Sequence, residues 1–304
     1  MDAAGAFGAR SAPGGRPRRT RNARGIENAE PSPWLEEWAA SGDVLADVGC
    51  AFGLNVARVT EMAPDGTAIW ALDCEPAHLE EVDALGLGAR GVSTALCRLP
   101  GTLPLGNLSV NGLLCSEVLH FLTPAEIEAS LREFHRVLAP GGRLFISACS
   151  PYYNLTGSGC PIGAAVRALR ASGDAAGERW PNGGGVSFAA IMAAHKGDTT
   201  RFTSALGLSP DRIGEVQRTM SSYMHNLGDE LVDAVREAGF FVVCHKYSFR
   251  RGYLETNAFD GRECIQIHAL KECADGTHYS AASSTSPAVS SARGTQNGAI
   301  LLCF

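Results

Sequence analysis

Two aspartates and a short glycine-containing turn are the residues of this chain whose types and spacing could do chemistry. Asp47 lies near the end of an apolar run, and the turn at residues 49–53 follows it. Glycines in such a turn let backbone N–H groups at a helix start approach a bound anion. Asp73 ends the next apolar run, twenty residues past Gly53, which is the distance expected for a carboxylate that grips ribose hydroxyls. Together they predict a nucleotide-type ligand.

These residues need a strand, a helix and a second strand to position them. Residues 44–48 form a short apolar run, the segment from Leu54 onward can form an apolar helix face, and residues 68–72 form a second strand. This order is that of a βαβ nucleotide-binding unit. A dinucleotide-binding enzyme would need the spacing G-x-G-x-x-G, and the segment GCAFGLNVA does not supply it. We therefore exclude a nucleotide-dependent oxidoreductase.

The motif Asp47-x-Gly49-x-Ala51-x-Gly53, followed by ALDCEP and later by VLAPGGRLFIS, resembles the class I S-adenosylmethionine-dependent methyltransferases. The resemblance covers roughly residues 35–150 and 231–270. It departs from the family at Ala51, where a glycine is most common, and at Asn111, where an aspartate is common. After the third strand no acid stands where relatives often bind the adenine amino group.

The resemblance implies S-adenosylmethionine as the cofactor. Backbone N–H groups of residues 49–53 would bind its carboxylate, Asp47 its ammonium, and Asp73 its ribose hydroxyls. Backbone groups near residues 96–98 would hold the adenine. The implied cofactor-binding residues are Asp47, Gly49, Cys50, Ala51, Phe52, Gly53, Asp73, Cys74, Glu75, Cys97, Arg98, Ser116 and Glu117.

Methyl transfer is an in-line displacement, so alignment and exclusion of water do most of the work and no catalytic side chain is obligatory. A base is needed only when the acceptor arrives protonated. His120 is our candidate base, because it follows the fourth predicted strand and imidazole titrates near neutral pH. The alternative is a histidine that orients the loop SEVLHFL by hydrogen bonding.

Helices alternate with strands along the chain, and two β-rich runs at residues 240–247 and 264–270 predict an antiparallel hairpin at the end. The resemblance implies an α/β, Rossmann-like sheet of seven mostly parallel strands in the order 3-2-1-4-5-7-6, with helices on both faces. Thr123-Pro124-Ala125-Glu126 predicts a capped helix start. Pro140-Gly141-Gly142 predicts its end, before a fifth strand at residues 143–148.

An insertion at about residues 151–225 precedes the sixth strand and is too long for an ordinary connection. We interpret it as a cap over the acceptor site. Tyr152, Tyr153, Tyr223 and His225 are its candidate substrate-binding residues. A decoration that packs elsewhere is the alternative.

The methyltransferase domain is predicted to span residues 26–271. Residues 1–25 are rich in arginine and small residues, and residues 272–304 in small and polar ones, so both are predicted to be disordered tails. An arginine-rich, acid-poor amino terminus is also typical of transit peptides. We expect a cytoplasmic protein, with organelle targeting as the alternative.

The charge, hydropathy and cysteine content of the chain limit the classes of partner that it is expected to bind. The net charge of the chain is −6, and six arginines and one aspartate in residues 1–26 leave the remainder near −11. An acidic body is a poor nucleic-acid binder, and no window of about 20 apolar residues predicts a membrane span. The ten cysteines are scattered without metal-ligand spacing, so we expect free thiols and no metal. The sequence does not predict an oligomeric state.

The favoured function is methyl transfer to a small or medium-sized acceptor enclosed by the cap. A protein or RNA acceptor is an alternative that the basic amino terminus would favour. A cofactor-binding protein without catalysis is the third hypothesis, based on Ala51, Asn111 and the missing acid.

Overall fold

A seven-stranded sheet forms the centre of the protein. The computed structural model describes residues 18–22, 26–27, 30–150, 227–248 and 261–272. The strands of the sheet are β1 (Val44–Val48), β2 (Ala68–Asp73), β3 (Val92–Leu96), β4 (Val110–Ser116), β5 (Leu138–Cys149), β6 (Phe240–Ser248) and β7 (Cys264–Lys271).

The strand order is β3-β2-β1-β4-β5-β7-β6, which confirms the predicted topology. Strands β1 to β5 pair in parallel, whereas β7 pairs antiparallel with both β5 and β6. The order reverses between β1 and β4. In open α/β sheets ligands bind outside the carboxyl ends of the strands at this switch point.

Five α-helices are described: α1 (Leu35–Ala39), α2 (Leu54–Met62), α3 (Pro76–Asp83), α4 (Pro124–Val137) and α5 (Asp229–Glu237). The start of α4 carries the predicted capping box, in which the Thr123 side chain accepts from the Glu126 N–H and the Glu126 carboxylate accepts from the Thr123 N–H. Short 3₁₀ turns follow α3 at Leu87–Arg90 and β4 at Leu119–Phe121.

Apolar residues on opposite faces of the sheet belong to two separate core clusters. Leu45 belongs to one cluster and its neighbour Ala46 to the other, because successive strand side chains point to opposite faces. Residues of α1, α2 and α3 contribute to the first cluster, and residues of α4 and α5 to the second. Trp34 and Trp38 are buried in the first cluster, where their indole N–H groups donate to the carbonyls of Ile146 and Gly112 at 3.1 Å.

One boundary differs from the prediction. Pro140-Gly141-Gly142 does not separate α4 from the fifth strand, because β5 already begins at Leu138. Leu138 pairs with Val110, and the register then shifts so that Arg143 pairs with Gly112. The Pro-Gly-Gly segment therefore forms an irregularity within the strand.

The predicted cap and the carboxy-terminal tail lie outside the described residues. Part of the predicted amino-terminal tail is described: Arg18–Arg19 pairs antiparallel with Ile26–Glu27. We call residues 18–22 and 26–27 the arm. Among the described residues, none of the helices is long and apolar enough to cross a membrane.

Candidate functional site

The glycine turn between β1 and α2 is tied to the neighbouring strand. The N–H groups of Gly49 and Cys50 both donate to the carbonyl of Leu72, at 2.7 and 3.0 Å. Gly49 has φ +82°, and a Cβ added there would lie 2.3 Å from Cγ2 of Val118. Only glycine fits this position without strain or a clash. Gly53, also left-handed at φ +83°, precedes the first residue of α2.

Ala51 occupies the middle of this turn with φ +46°, a conformation that L-residues rarely adopt. Its N–H donates to Oδ2 of Asp73 at 2.9 Å. This hydrogen bond to a charged acceptor offsets part of the backbone strain. It gives a physical account of how an alanine occupies a position at which a glycine is usual in the family that the motif resembles.

Asp73 links the two loops at the carboxyl ends of β1 and β2. Its Oδ1 accepts from the N–H of Glu75 at 2.9 Å and lies 3.0 Å from Nδ1 of His78. With the bond from Ala51, three of the roughly four lone-pair sites of this carboxylate are engaged. One site is left for a further donor such as a ribose hydroxyl.

Asp47 is the buried acid of the site. It is 1% exposed, and neither carboxylate oxygen has a hydrogen-bond partner of normal geometry among the described residues. Burial raises the pKa of Asp47 to about 7; the amide of Asn55 lowers it somewhat, whereas the charges of Asp73 and Glu27 raise it further. A buried carboxylate without a partner is costly unless a donor or cation meets it.

Glu27 is a third acid at the site, and the sequence analysis missed it. Its Oε1 accepts from the N–H of Leu54, the first residue of α2, at 3.3 Å. Burial raises the pKa of Glu27 to about 7, and Leu54, Arg18, Phe52 and His78 offset part of the shift. No motif marks this residue in the sequence, because it reaches the site only through the fold of the arm.

The arm also covers two residues near the turn. The guanidinium of Arg18 lies 3.6 Å from the ring centroid of Phe52, and the N–H of Arg21 donates to Nε2 of His78 at 2.8 Å. Both arginines form ion pairs with Glu81 on α3. These contacts explain why residues 18–22, predicted to belong to a disordered tail, lie against the domain.

The other predicted cofactor residues lie at the ends of β2 and β3. Cys74 accepts a weak 3.9 Å contact from the Asn22 amide, and the Glu75 carboxylate caps α3 by accepting from the Ala77 N–H at 3.4 Å. Cys97 is buried and its N–H donates to the carbonyl of Asp73 at 2.8 Å. Arg98 follows it directly. Burial raises the pKa of the Cys97 thiol to about 12, so this thiol stays neutral.

The residues predicted on the fourth-strand loop form a second group. Ser116 ends β4 and pairs with Ser147. Glu117 and His120 lie close to Cys149, whose Sγ is 3.7 Å from Glu117 Oε2 and 3.9 Å from His120 Nε2. His120 is 2% exposed, and its Nδ1 accepts from the N–H of Cys149 at 3.3 Å. Tyr152, Tyr153, Tyr223 and His225 lie outside the described residues.

Asn111, the other departure from the motif, is engaged away from the turn. Its Oδ1 accepts from the N–H of Val44 at 3.0 Å, at the start of β1. A side chain at the amino end of β1 is remote from the carboxyl ends of the strands, where the ligand site is expected. Its replacement of an aspartate therefore says nothing about the chemistry of the site.

The arrangement at the glycine turn suits a ligand with both signs of charge. Asp47, Asp73 and Glu27 place three carboxylates in one region, which favours a cationic group. The turn and the amino terminus of α2 present N–H groups, which favour an anionic group. A zwitterionic, cationic ligand with a ribose fits these residues better than a dinucleotide, whose phosphates the acids would repel.

Comparison with known proteins agrees with this geometry. Residues 46–146 match the family model described as a methyltransferase domain. A malonyl-[acyl-carrier protein] O-methyltransferase from Dechloromonas aromatica is 30% identical over 110 residues, which are 35% of this chain and 37% of that protein. The chain thus matches little more than a third of the length of this relative.

Solved structures share the fold. An S-adenosylmethionine-dependent methyltransferase from Mesorhizobium loti aligns with a TM-score of 0.50 and 16% identity, covering 78% of this chain and 96% of that one. A structure described as the conversion of a disulfide bond into a thioacetal group during echinomycin biosynthesis aligns with a TM-score of 0.51 and 16% identity, covering 86% and 87%. At such identities the likeness concerns the fold alone.

Proposed function

We propose that the chain is a class I S-adenosylmethionine-dependent methyltransferase and that it transfers a methyl group from this cofactor to a small or medium-sized acceptor. The observation that carries the proposal is the buried carboxylate of Asp47 near the end of β1, beside the glycine turn, neither oxygen of which has a hydrogen-bond partner of normal geometry among the described residues. Such a carboxylate needs a cation, and the cofactor offers an ammonium and a sulfonium.

Each part of the cofactor has a partner among the chain's residues. Asp47 would hold the ammonium directly or through water, and N–H groups of residues 49–53 would hold the carboxylate. Asp73 would accept from the ribose with its remaining lone pair. The adenine would lie against backbone groups near residues 96–98, because no acid follows β3.

When bound, the cofactor supplies a methyl group activated by the sulfonium. The chain's own contribution is to orient the reactants and to exclude water, and orientation alone can supply roughly 7–11 kcal/mol. The carboxyl ends of β1, β2 and β4 provide a rigid frame that orients the reactants, because these three strands lie in the interior of the sheet. Asp47 and Asp73 are therefore binding and orienting residues in this proposal.

For His120 the contacts favour the loop-orienting alternative over the general base. Its ring is buried, Nδ1 accepts from the Cys149 N–H, and Nε2 lies 3.9 Å from the Cys149 Sγ. An acceptor that arrives deprotonated needs no base. The O-methyltransferase relative, whose name specifies a malonyl group as acceptor, suggests carboxylates as the first acceptors to test.

The pH dependence of cofactor binding tests the acidic pocket. Burial raises the pKa of Asp47 and Glu27 to about 7, so both are mostly neutral at pH 6. A cation prefers the ionised carboxylates, so binding expels protons at pH 6 and becomes tighter as the pH rises. We expect the affinity for S-adenosylmethionine to increase about tenfold from pH 6 to 7.5, a range over which the ligand's own α-amino group stays more than half protonated.

Isothermal titration calorimetry at several pH values measures this dependence. Uncharged adenosine is the control ligand, and its weaker binding should not vary with pH. A flat profile for S-adenosylmethionine, or an affinity that falls as the pH rises, would contradict the role given to the two acids.

Turnover tests the transfer itself. The full-length protein is incubated with S-adenosylmethionine and a panel of carboxylate, hydroxyl and amine acceptors, including malonyl thioesters, and S-adenosylhomocysteine is quantified by mass spectrometry. We expect product with at least one small acceptor and none without acceptor. Product only with protein or RNA would replace the small-acceptor proposal, and cofactor binding without product on any acceptor would support a non-catalytic role.

A further inference from the structure

A second cluster of reactive side chains lies at the ends of β4, β5 and β7. Glu117, His120 and Cys149 each present a ligand atom, and these atoms all lie within 4.8 Å of one another. Cys149 Sγ lies 3.7 Å from Glu117 Oε2 and 3.9 Å from His120 Nε2. The thiol of Cys264 lies beside this group, 3.5 Å from the other carboxylate oxygen of Glu117, Oε1. Carboxylate, imidazole and thiol are the groups that bind zinc in proteins.

The sheet places the two thiols side by side. Cys149, the last residue of β5, pairs directly with Cys264, the first residue of β7. Directly opposed residues of an antiparallel pair point to the same face of the sheet. The Glu117 carboxylate lies between them, with one oxygen near each sulfur. Three separate strand ends therefore contribute to one group.

Glu117 adopts a strained backbone conformation at this point. Its φ is +62°, in the left-handed region that non-glycine residues rarely adopt. The strand pairing holds it there, since its N–H donates to the carbonyl of Ser147 at 2.8 Å. Strained conformations of this kind cluster at functional sites, and this one coincides with the carboxylate between the two thiols.

We propose that Glu117, His120 and Cys149 form a binding site for a divalent metal ion of the zinc class. In tetrahedral zinc sites the bond lengths of about 2.0–2.3 Å place ligand atoms roughly 3.3–3.8 Å apart. The distances of 3.7 and 3.9 Å from Cys149 Sγ to Glu117 Oε2 and to His120 Nε2 need only small side-chain adjustments to reach this geometry. Coordination through His120 Nε2 moves the proton of the neutral ring to Nδ1, which gives up the 3.3 Å hydrogen bond from the Cys149 N–H. The Glu117 side chain is 17% exposed, whereas that of His120 is 3% exposed, so an ion can enter from the glutamate side.

The proposed site shares Glu117 with the cofactor-binding residues that the family resemblance implies, but the binding of the metal ion does not depend on methyl transfer. Three protein ligands leave one position of a tetrahedral site for an exogenous ligand such as water. The ion would join the end of β5 to the loop after β4. Glu117 directly follows β4, His120 lies in the 3₁₀ turn after it, and Cys149 ends β5.

Cobalt substitution tests the site without reference to activity. Full-length protein, reduced and freed of metal by a chelator, is titrated with Co²⁺ while the absorption spectrum is recorded. We expect one equivalent to bind with thiolate-to-cobalt charge transfer and the intense visible bands of tetrahedral cobalt, and one equivalent of Zn²⁺ to displace it. Zinc should also raise the melting temperature of the metal-free protein, since it binds only the folded state.

Variants assign the ligands. Cys149→Ser should lose the charge-transfer band, and Glu117→Gln should weaken Co²⁺ binding at least tenfold. The matched control is Cys244→Ser, which removes a thiol on β6 outside the cluster and should bind Co²⁺ as the wild type does. Circular dichroism of the metal-free variants checks their folding. If Cys149→Ser does not fold, the loss of Co²⁺ affinity in Glu117→Gln tests the proposal.

Three results would overturn the proposal. The first is that the wild type binds no stoichiometric Co²⁺, and the second is that the Cys149→Ser and Glu117→Gln variants bind it with the wild-type spectrum and affinity. The third is that thiol counting in the purified protein, before any reduction, finds Cys149 joined to Cys264 as a disulfide. The first result would leave only a thiol–imidazole contact at this position.

Discussion

Asp47→Asn is expected to make the ligand-free protein more stable at pH 8 while abolishing its binding of S-adenosylmethionine. The Asp47 carboxylate is 1% exposed and has no hydrogen-bond partner of normal geometry among the described residues. Because burial raises its pKa from 3.8 to about 7, ionising it in the folded protein costs on the order of 4 kcal/mol at pH 8. Asparagine has a similar shape and avoids this cost.

The pH dependence of this effect has a definite sign. The folded pKa of Asp47 is raised, so its unfavourable contribution is absent below the unfolded pKa and grows as the pH rises toward 7. The gain from Asp47→Asn should therefore be small at pH 4 and several degrees in Tm at pH 8. Thermal unfolding followed by circular dichroism at both pH values measures it.

The control for this substitution is Asp65→Asn, which removes an exposed aspartate and should leave both Tm and cofactor affinity unchanged. An Asp47→Asn protein that is less stable than the wild type at pH 8 would show that the carboxylate has a partner in solution. A variant that binds S-adenosylmethionine with wild-type affinity would remove Asp47 from the cofactor site.

Asp73→Asn should also abolish cofactor binding, but with the opposite effect on stability. The Asp73 carboxylate accepts from the N–H groups of Ala51 and Glu75 and contacts Nδ1 of His78. In asparagine an NH₂ group replaces one oxygen and faces a backbone donor, so one loop loses its anchor. We expect a loss of about 2–4 kcal/mol, because hydrogen bonds to a charged group contribute roughly 1.5–3 kcal/mol each.

Comparing the two variants tests the account more strictly than either variant alone, because both replace an aspartate by an asparagine and yet should change stability in opposite directions. Unfolding by urea at pH 7.5 should rank the proteins Asp47→Asn, wild type and Asp73→Asn in order of decreasing stability. Calorimetry should find both variants impaired in binding S-adenosylmethionine. If Asp73→Asn is as stable as the wild type, the bonds to Ala51 and Glu75 do not hold the two loops together.

The sheet and the glycine turn were predictable because their signals are local. Alternating apolar runs mark the strands, Thr123 and Glu126 mark the start of α4, and the motif from Asp47 to Gly53 marks the turn. The family resemblance then supplied the strand order, which periodicity alone could not. The extension of β5 to Leu138 escaped prediction, because the Pro-Gly-Gly segment reads as a turn and only pairing with Val110 makes it part of the strand.

The unexpected parts of the site depend on contacts between distant residues. Glu27 reaches the first turn of α2 because Arg18 and Arg21 bind Glu81, and no periodic pattern in the arm indicates this. Glu117, His120 and Cys149 lack metal-ligand spacing in the sequence, since the ends of β4 and β5 come together only in the sheet. The hydrogen bond from Ala51 to Asp73 likewise links two loops that the sequence treats separately.

Binding of S-adenosylmethionine to the wild-type protein tests the central claim most directly. Isothermal titration calorimetry of the full-length chain at pH 7.5, with NAD as the control ligand, measures it. We expect saturable binding of one equivalent with a Kd on the order of micromolar, or about −8 kcal/mol, and no binding of NAD. A correctly folded protein that shows no saturable binding of S-adenosylmethionine would contradict the assignment of Asp47, the glycine turn and Asp73 as a cofactor site.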